Sequence, residues 1–202
     1  MTTITKHRSA VVRREQIIDA ARKLVIKRGS EHLRVREIAK VAGITEGAIY
    51  RHFKSKKEIL SSLVDRIEEN WLEDISKVNA AGSSSLEALD RIFKNHVSAI
   101  EQRGGVSFQV IAEIISLGDK KLNKKAFDVL NKYTGRLKKL LAEGVGTGEI
   151  KREVDLEAAA MLFFGMIQGL VNIWALSGYS FDLEEKYKPL WHTFRESIRN
   201  RV

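Results

Sequence analysis

The sequence contains no cysteine and only one proline, Pro189, among its 202 residues. Without cysteine there are no disulfides, cysteine-based zinc sites or thiol nucleophiles, and an intracellular protein is favoured over a secreted one. Since proline interrupts helices, a single proline leaves room for long helical segments. Aromatic residues are also few, at 7%, but 44% of the residues are hydrophobic, which is enough for a buried core. The first residues show no apolar signal-peptide core, so we expect a cytoplasmic protein.

Sequence patterns that support catalysis or metal binding are missing as well. The histidines have no metal-ligand spacing such as His-x-x-x-His. There is also no glycine-rich phosphate loop and no Gly-x-Ser-x-Gly elbow. We therefore expect no catalytic residue, no metal and no cofactor, while a helical enzyme stays open as an alternative.

Acidic residues are scarce in the first 58 residues, where 6 aspartates and glutamates accompany 15 lysines and arginines. Residues 59–202 contain 20 residues of each sign, so the net charge of +9 belongs entirely to the first quarter of the chain. A basic block on a neutral body predicts a polyanionic partner for that block alone.

Apolar residues recur at helical spacing and no segment alternates like a strand, so we predict an all-α protein of about nine helices. Ser55 with Glu58 and Ser84 with Glu87 have the spacing of capping boxes. The glycines at 144, 146 and 148 are expected to end the seventh helix. The predicted helices cover about 11–28, 35–42, 46–53, 56–79, 86–102, 106–117, 119–143, 155–177 and 182–199.

The two short helices that flank Gly43 have the pattern of a helix-turn-helix. Gly43 gives the turn its backbone freedom, Ile44 can pack the two helices together, and Thr45 can cap the second helix. In such a unit the second helix enters the major groove of DNA. An ordinary helical hairpin has the same spacing, and the basic charge of this region favours the DNA-binding interpretation.

The stretch from Val35 to Leu60 resembles the N-terminal signature of TetR-family transcriptional regulators. Ile38-Ala39, Ala42-Gly43, Gly47-Ala48-Ile49-Tyr50 and Phe53-Lys54-Ser55-Lys56 match that signature in register. The resemblance implies a three-helix DNA-binding domain over residues 11–60, with the helix-turn-helix at about 34–53. It also implies a larger helical ligand-binding and dimerisation domain over residues 61–202.

The resemblance further implies which residues contact duplex DNA. Thr45, Gly47, Tyr50 and Lys56 are expected at phosphates, because helix N-terminal amides and a close backbone approach favour anions. Candidates for base edges or nearby phosphates are Arg34, Arg36, Glu46, Ala48, Arg51 and His52, and Lys54 is also expected to contact DNA.

Two of these residues depart from the family pattern, and their roles stay open. Arg34 stands where the family usually has serine or threonine. Glu46 stands where a neutral or basic residue is common, and it either accepts from a cytosine amine or only interacts with the helix dipole. The basic residues before them form either an arm near the minor groove or a solvated segment; these are Lys6, Arg8, Arg13 and Arg14.

The segment 158–178 has no charged residue and is long enough to cross a bilayer. Gln168 and Asn172 interrupt it, so we expect a buried helix without a membrane partner. The resemblance implies that this helix and the last one build a four-helix homodimer interface. Its expected residues are Gly165, Gly169, Leu190, Trp191, Phe194 and Ile198.

A ligand pocket is expected among the middle helices, although aromatic and methionine side chains at helical spacing also form ordinary cores. The aromatic content favours a large apolar ligand, and Lys120, Lys121, Lys124 and Lys125 either attract its acidic head group or form a solvated face. The candidate lining is Trp71, Phe93, His96, Phe108, Glu113, Tyr133, Phe163, Met166, Gln168, Asn172 and Trp174.

The sequence therefore predicts a ligand-responsive repressor that binds a palindromic operator as a homodimer and is released by a small, largely apolar effector. The alternative is a nucleoid- or division-associated DNA-binding protein on the same fold.

Overall fold

The structure is a computed structural model that describes residues 2–79 and 84–201, without the side chains of residues 2–9, 31 and 79. The side chains of Lys6 and Arg8 thus lie outside the described residues. Within the described ranges, the chain forms nine α-helices, one short 3-10 helix (Ser30–His32) and no strand. The helices are α1 (Thr2–Arg28), α2 (Val35–Ala42), α3 (Glu46–Tyr50), α4 (Lys56–Asn79), α5 (Ser85–Gln102), α6 (Val106–Leu117), α7 (Lys120–Gly146), α8 (Leu156–Leu176) and α9 (Leu183–Ile198). The predicted all-α class and helix number are confirmed.

Side chains cap several of these helices. Ser84 and Glu87 form the predicted reciprocal capping box at the start of α5. Asp155 and Asp182 accept backbone hydrogen bonds at the starts of α8 and α9. At α4 the Glu58 carboxylate accepts from the Lys54 amide at 2.8 Å, one residue before the partner predicted from the sequence.

Three helix boundaries differ from the predictions. α1 begins at Thr2, not at Val11, because the residues between them include no glycine or proline that would stop a helix. α3 ends at Tyr50 and not at Phe53, since the next residues form a turn. α7 continues past Gly144 to Gly146.

Gly144 has a packing role instead of ending α7. A Cβ atom at this position would lie 2.7 Å from Ile150 Cδ1 and 2.9 Å from Ser85 Cβ. The missing side chain therefore lets α7 approach these two neighbours closely. The turn after the helix is made by Gly148, which has a φ of +80°.

The chain divides into two compact units. The N-terminal unit comprises Met1–Ile67 and Val106–Ala126, and the C-terminal unit comprises Glu68–Gly105 and Phe127–Val202. α6 and the start of α7 thus belong to the same unit as the helix-turn-helix, and α4 and α7 each contribute residues to both units.

The core of the N-terminal unit fixes the position of α3. Ile17 from α1, Ile38 from α2 and Ile49 from α3 are all fully buried, and Phe53 is 1% exposed. Since α3 has only five residues, burial of Ile49 and Phe53 in this core must supply most of its stability. In the C-terminal unit α5, α8 and α9 pack on one another around buried aromatic rings.

Candidate functional site

The turn between α2 and α3 has the geometry that a helix-turn-helix requires. Gly43 is left-handed, with φ 65° and ψ 34°, and its amide donates to the carbonyls of Ala39 and Lys40. The Ile44 amide donates to Ala39 at 3.0 Å, and the Thr45 hydroxyl accepts from the Ala48 amide at 3.2 Å. One left-handed residue and one N-cap thus connect the two helices tightly.

The side of α3 opposite its buried Ile49 is solvent-exposed. Glu46, Gly47, Tyr50 and Arg51 are exposed, and at 100° per residue they fall within an arc of about 140°. A Cβ added at Gly47 would meet no atom within 4 Å, so the backbone there is open to a close approach. Of the other predicted contacts, Arg34, Arg36, Thr45 and Lys54 are exposed, while Ala48, His52 and Lys56 are half-buried.

The carboxylate of Glu37, in the first turn of α2, forms ion pairs with three cationic side chains. It lies 3.0 Å from Lys40 Nζ, 3.5 Å from Arg36 Nε and 3.6 Å from Arg28 Nη1. The hydrogen bond from Lys40, with the charges of Lys40 and Arg36, holds the pKa of Glu37 below its usual value. Arg36 nevertheless remains exposed.

Arg14 ties α1 to the end of the helix-turn-helix. Its guanidinium donates to the carbonyl of His52 and stacks over the Phe53 ring at 4.1 Å from the centroid. Sequence reasoning assigned Arg14 either to a DNA-binding arm or to a solvated segment and missed this contact. The residue separation of 38 leaves no local signal for it.

The first turns of α4 are joined to α6 and α7 by ion pairs. Lys56 Nζ lies 2.6 Å from Glu113 Oε1, and Lys57 Nζ lies 2.5 Å from Asp119 Oδ2. Lys125 Nζ lies 2.6 Å from the Asp65 carboxylate and 2.7 Å from the Ser61 hydroxyl. A lysine predicted to hold phosphate is therefore paired with a carboxylate of the protein itself.

The C-terminal unit contains a buried aromatic cluster around one polar pair. His96 Nδ1 and the Tyr133 hydroxyl are 2.9 Å apart, and both residues are buried. The rings of Trp71 and Phe164 lie 5.2 and 5.7 Å from that of Tyr133. Burial, helped by the charge of Arg103, lowers the pKa of His96 from 6.5 to about 4, and burial raises the pKa of Tyr133. The imidazole is therefore neutral near pH 7.

One side of α8 presents apolar side chains and glycines to solvent. Met161 is 66% exposed, Leu162 54%, Ile173 61% and Leu176 89%. Gly165 and Gly169 lie between them, and a Cβ at either glycine would meet nothing within 4 Å. At 100° per residue all six fall within an arc of about 120°, which we call the outer face of α8. An apolar face of this extent indicates an interaction surface.

Two family models match the chain. The model described as "Bacterial regulatory proteins, tetR family" matches residues 17–63, and the one described as "YsiA-like protein, C-terminal region" matches residues 48–196. The chain is also 30% identical over 187 residues to the fatty acid metabolism regulator protein of Bacillus subtilis (strain 168), and the match covers 92% of this chain and 95% of the relative.

The chain belongs to the TetR family of transcriptional regulators. It is thus a regulator that binds DNA as a homodimer and responds to a small-molecule ligand. No membrane partner is indicated. α8 is long and apolar enough to cross a bilayer by length and composition alone, but core helices of soluble proteins also meet that criterion.

Two further similarities are informative. The structure of the transcriptional regulator FadR from Bacillus subtilis in complex with stearoyl-CoA superposes with a TM-score of 0.77 at 28% identity, covering 90% of this chain and 95% of that one. The nucleoid occlusion factor SlmA of Vibrio atlanticus (strain LGP32) is 22% identical over 188 residues, covering 93% of this chain and 96% of the relative.

The last helix of this TetR regulator does not have the surface predicted from its sequence. Trp191, Phe194 and Ile198 are 7%, 2% and 4% exposed, and Phe194 packs against Phe163 of α8 at 5.7 Å. The apolar stripe of α9 is thus already buried within the protomer and leaves these side chains little surface for a partner, so their assignment to the dimer interface stays a prediction. Leu190 is half-buried, whereas Gly165 and Gly169 lie on the outer face of α8.

The pocket candidates are only partly brought together. Asn172 is exposed on the outer face of α8, away from the buried candidates, so its assignment to a pocket stays a prediction. Phe108 and Glu113 belong to the N-terminal unit, where Glu113 pairs with Lys56. Phe164, which sequence reasoning missed although it adjoins Phe163, contacts Trp71 and Tyr133. In the C-terminal unit Trp71, Phe93, His96, Tyr133, Phe163 and Trp174 are buried, and Met166 and Gln168 are half-buried.

Two surface cavities of the C-terminal unit do not involve these candidates. One, of about 420 Å³, lies beside Glu87, Asp90 and Glu149, and the other, of about 230 Å³, lies beside Gly135, Lys138 and Met161. In the described part of the chain, no group of three or more histidine, aspartate or glutamate side chains is placed to hold a metal ion.

Proposed function

We propose that the protein is a repressor that holds a palindromic operator through the exposed side of α3, and that a long-chain acyl-CoA ester releases it. Two observations support the DNA-binding half of this proposal. The turn at Gly43 is tight, and α3 is exposed in the most basic part of the chain. Residues 11–60 form the proposed DNA-binding domain, with the motif at about 34–53, and residues 61–202 form the ligand-binding and dimerisation domain.

The proposed contacts fall into two groups. Thr45, Gly47, Tyr50 and Lys56 hold phosphates and fix the position of α3, which supplies no sequence preference. The base edges are contacted by members of a second group, in which arginine can bind guanine through two hydrogen bonds. That group is Arg34, Arg36, Glu46, Ala48, Arg51 and His52, and Lys54 is a further DNA-binding residue. In the homodimer two copies of α3, about 34–36 Å apart, contact successive major grooves.

Replacing Glu113 with glutamine should strengthen operator binding. The carboxylate of Glu113 competes with a DNA phosphate for the ammonium of Lys56, 2.6 Å away, and glutamine removes the charge while keeping the shape. A partly exposed ion pair contributes up to about 1 kcal/mol, so we expect a gain of about twofold to fivefold. Lys56→Ala should weaken binding and reduce the slope of log K against log salt by roughly 0.9. Fluorescence anisotropy at several salt concentrations measures both effects.

The matched control is Glu184→Gln, which removes the carboxylate of another ion pair, 3.0 Å from Lys94 in the C-terminal unit. The double variant Lys56→Ala/Glu113→Gln should bind the operator like Lys56→Ala alone, because the gain in affinity from Glu113→Gln requires the ammonium of Lys56. Weaker binding by Glu113→Gln would show instead that the carboxylate positions Lys56 for its phosphate.

The effector class is supported by two observations. The Bacillus subtilis regulator whose structure contains stearoyl-CoA is similar over nearly the whole chain. The C-terminal unit has an interior rich in aromatic rings, including the contact between Phe93 and Phe163 at 5.3 Å, and such an interior suits a long acyl chain. The proposed ligand is thus largely apolar and carries a polar, anionic head.

Stearoyl-CoA should raise the apparent Kd for operator DNA by about 5–150-fold, the usual range of coupling between two sites. The operator is obtained by selecting duplexes from a random pool with the purified protein, and anisotropy then follows its release. Coenzyme A alone and stearate alone are the controls, and neither should release DNA at the same concentration. If acyl-CoA esters of every chain length left the affinity for operator DNA unchanged, this effector class would be ruled out.

The nucleoid or division factor is the second candidate, and the similarity to SlmA favours it. Genome-wide footprinting separates the two functions. One or a few palindromes near promoters support the repressor, whereas many dispersed sites support the nucleoid factor. In either case we infer that the protein works in the cytoplasm, without a catalytic step, metal or cofactor.

A further inference from the structure

The first turns of α7 carry an exposed basic patch, which we define as Lys120, Lys121 and Lys124. At 100° per residue the three side chains fall within an arc of about 100° on one face of the helix. They belong to the N-terminal unit, with the helix-turn-helix. None of the DNA contacts proposed above uses them.

Asp119 fixes the patch next to the start of α4. Its Oδ1 atom accepts from the backbone amides of Lys121 and Leu122, both at 3.1 Å, and its Oδ2 atom accepts from Lys57 Nζ at 2.5 Å. The hydrogen bond from Lys57, and then those from the backbone, hold the pKa of Asp119 below its usual value. One ionised carboxylate therefore joins the first turn of α7 to the residue that follows Lys56.

The charge of this segment is unbalanced. Residues 106–126 contain four lysines and two acidic residues, Glu113 and Asp119. The patch thus adds positive charge next to the residue proposed to hold a phosphate.

We propose that this patch binds backbone phosphates of the DNA that flanks the palindrome, beyond the half-site contacted by α3 and Lys56. The inference rests on the proposed DNA-binding function of the same unit. Lysine ammonium groups on flexible stems bind phosphates as point charges, without sequence preference. The patch therefore lengthens the interface and adds affinity that depends on duplex length and salt.

Two duplexes and a triple variant test this inference. The duplexes are the selected palindrome alone and the same palindrome extended by about ten base pairs, one helical turn, on each side. The variant is Lys120→Ser/Lys121→Ser/Lys124→Ser, and the charge-matched control is Lys139→Ser/Lys186→Ser/Lys188→Ser, three exposed lysines of the C-terminal unit. Thermal melts check that both are folded.

The patch variant should bind the short duplex as the wild type does. On the extended duplex its salt slope should fall by roughly 0.9 for each phosphate that the lysines no longer neutralise, and its affinity at low salt should fall at least tenfold. The control should behave like the wild type on both duplexes.

Equal salt slopes for the wild type and the patch variant on the extended duplex would overturn the inference. So would a variant that keeps its DNA binding but loses its response to stearoyl-CoA, since the lysines would then hold the anionic head of the effector. If the wild type bound neither duplex, the proposed DNA-binding function itself would fail, which is a separate outcome.

Discussion

Replacing Leu162 with glutamate should separate the homodimer into protomers and reduce operator affinity by about a hundredfold or more. Leu162 lies on the outer face of α8, near Gly165 and Gly169. In a two-fold symmetric interface the substitution is present twice. An unpaired buried carboxylate costs about 3–5 kcal/mol, so two of them raise the dimer Kd by about four powers of ten or more. Operator affinity then falls because the advantage of two linked half-site contacts, about 10²–10⁴, disappears.

Sedimentation velocity measures the dimer and anisotropy measures operator binding. The matched control is Ile115→Glu in α6, an apolar residue that is 68% exposed but lies outside α8, and this variant should remain dimeric. A Leu162→Glu variant that sediments as a dimer at the same concentration would show that the outer face of α8 is not the interface.

Lowering the pH from 7 to 4 should reduce the free energy of unfolding by about 3 kcal/mol through His96 alone. Burial lowers the pKa of this histidine from 6.5 to about 4. The unfolded chain therefore binds a proton below pH 6.5 that the folded protein does not accept until pH 4. The contribution of the neutral His96 imidazole to the free energy of unfolding is complete above pH 6.5 and is lost as the pH falls toward 4. Each unit by which the pKa is lowered corresponds to about 1.4 kcal/mol.

Urea unfolding at a fixed protomer concentration measures this loss. Because carboxylates titrate in the same range, the informative quantity is the difference between the wild type and His96→Gln. The pH profile of that variant should be flatter by about 3 kcal/mol, although its stability at pH 7 is lower because the Tyr133 hydroxyl loses its partner. His192→Gln, an exposed histidine, is the control. Parallel profiles for His96→Gln and the wild type would contradict the lowered pKa of His96.

The features that could be predicted from the sequence are local ones. Gly43 and Thr45 specify a turn and a cap within a few residues, and the structure contains both. The capping box at Ser84 is equally local. In each case the side chain and its hydrogen-bond partner are neighbours in the sequence, so the physical argument needs no knowledge of tertiary packing.

The features that could not be predicted depend on which helix faces which. The stripe of Trp191 and Phe194 correctly indicates a buried face, but periodicity does not distinguish burial within the protomer from burial in a dimer. In the same way, nothing local indicates that Glu113 pairs with Lys56, 57 residues away. The grouping of α6 with the helix-turn-helix likewise depends on long-range contacts.

The most direct test asks whether α3 lies in a groove of duplex DNA. Because the chain has no cysteine, a single introduced thiol can carry an iron–EDTA group that cleaves nearby DNA. Glu46→Cys places this group at the exposed start of α3, and Glu185→Cys places it at the exposed start of α9. We expect the Glu46→Cys conjugate to cut the selected operator at two symmetric positions about one helical turn apart, and the Glu185→Cys conjugate to leave it intact. Equal, unlocalised cleavage by both conjugates, or none by either at low salt, would contradict binding of DNA through α3.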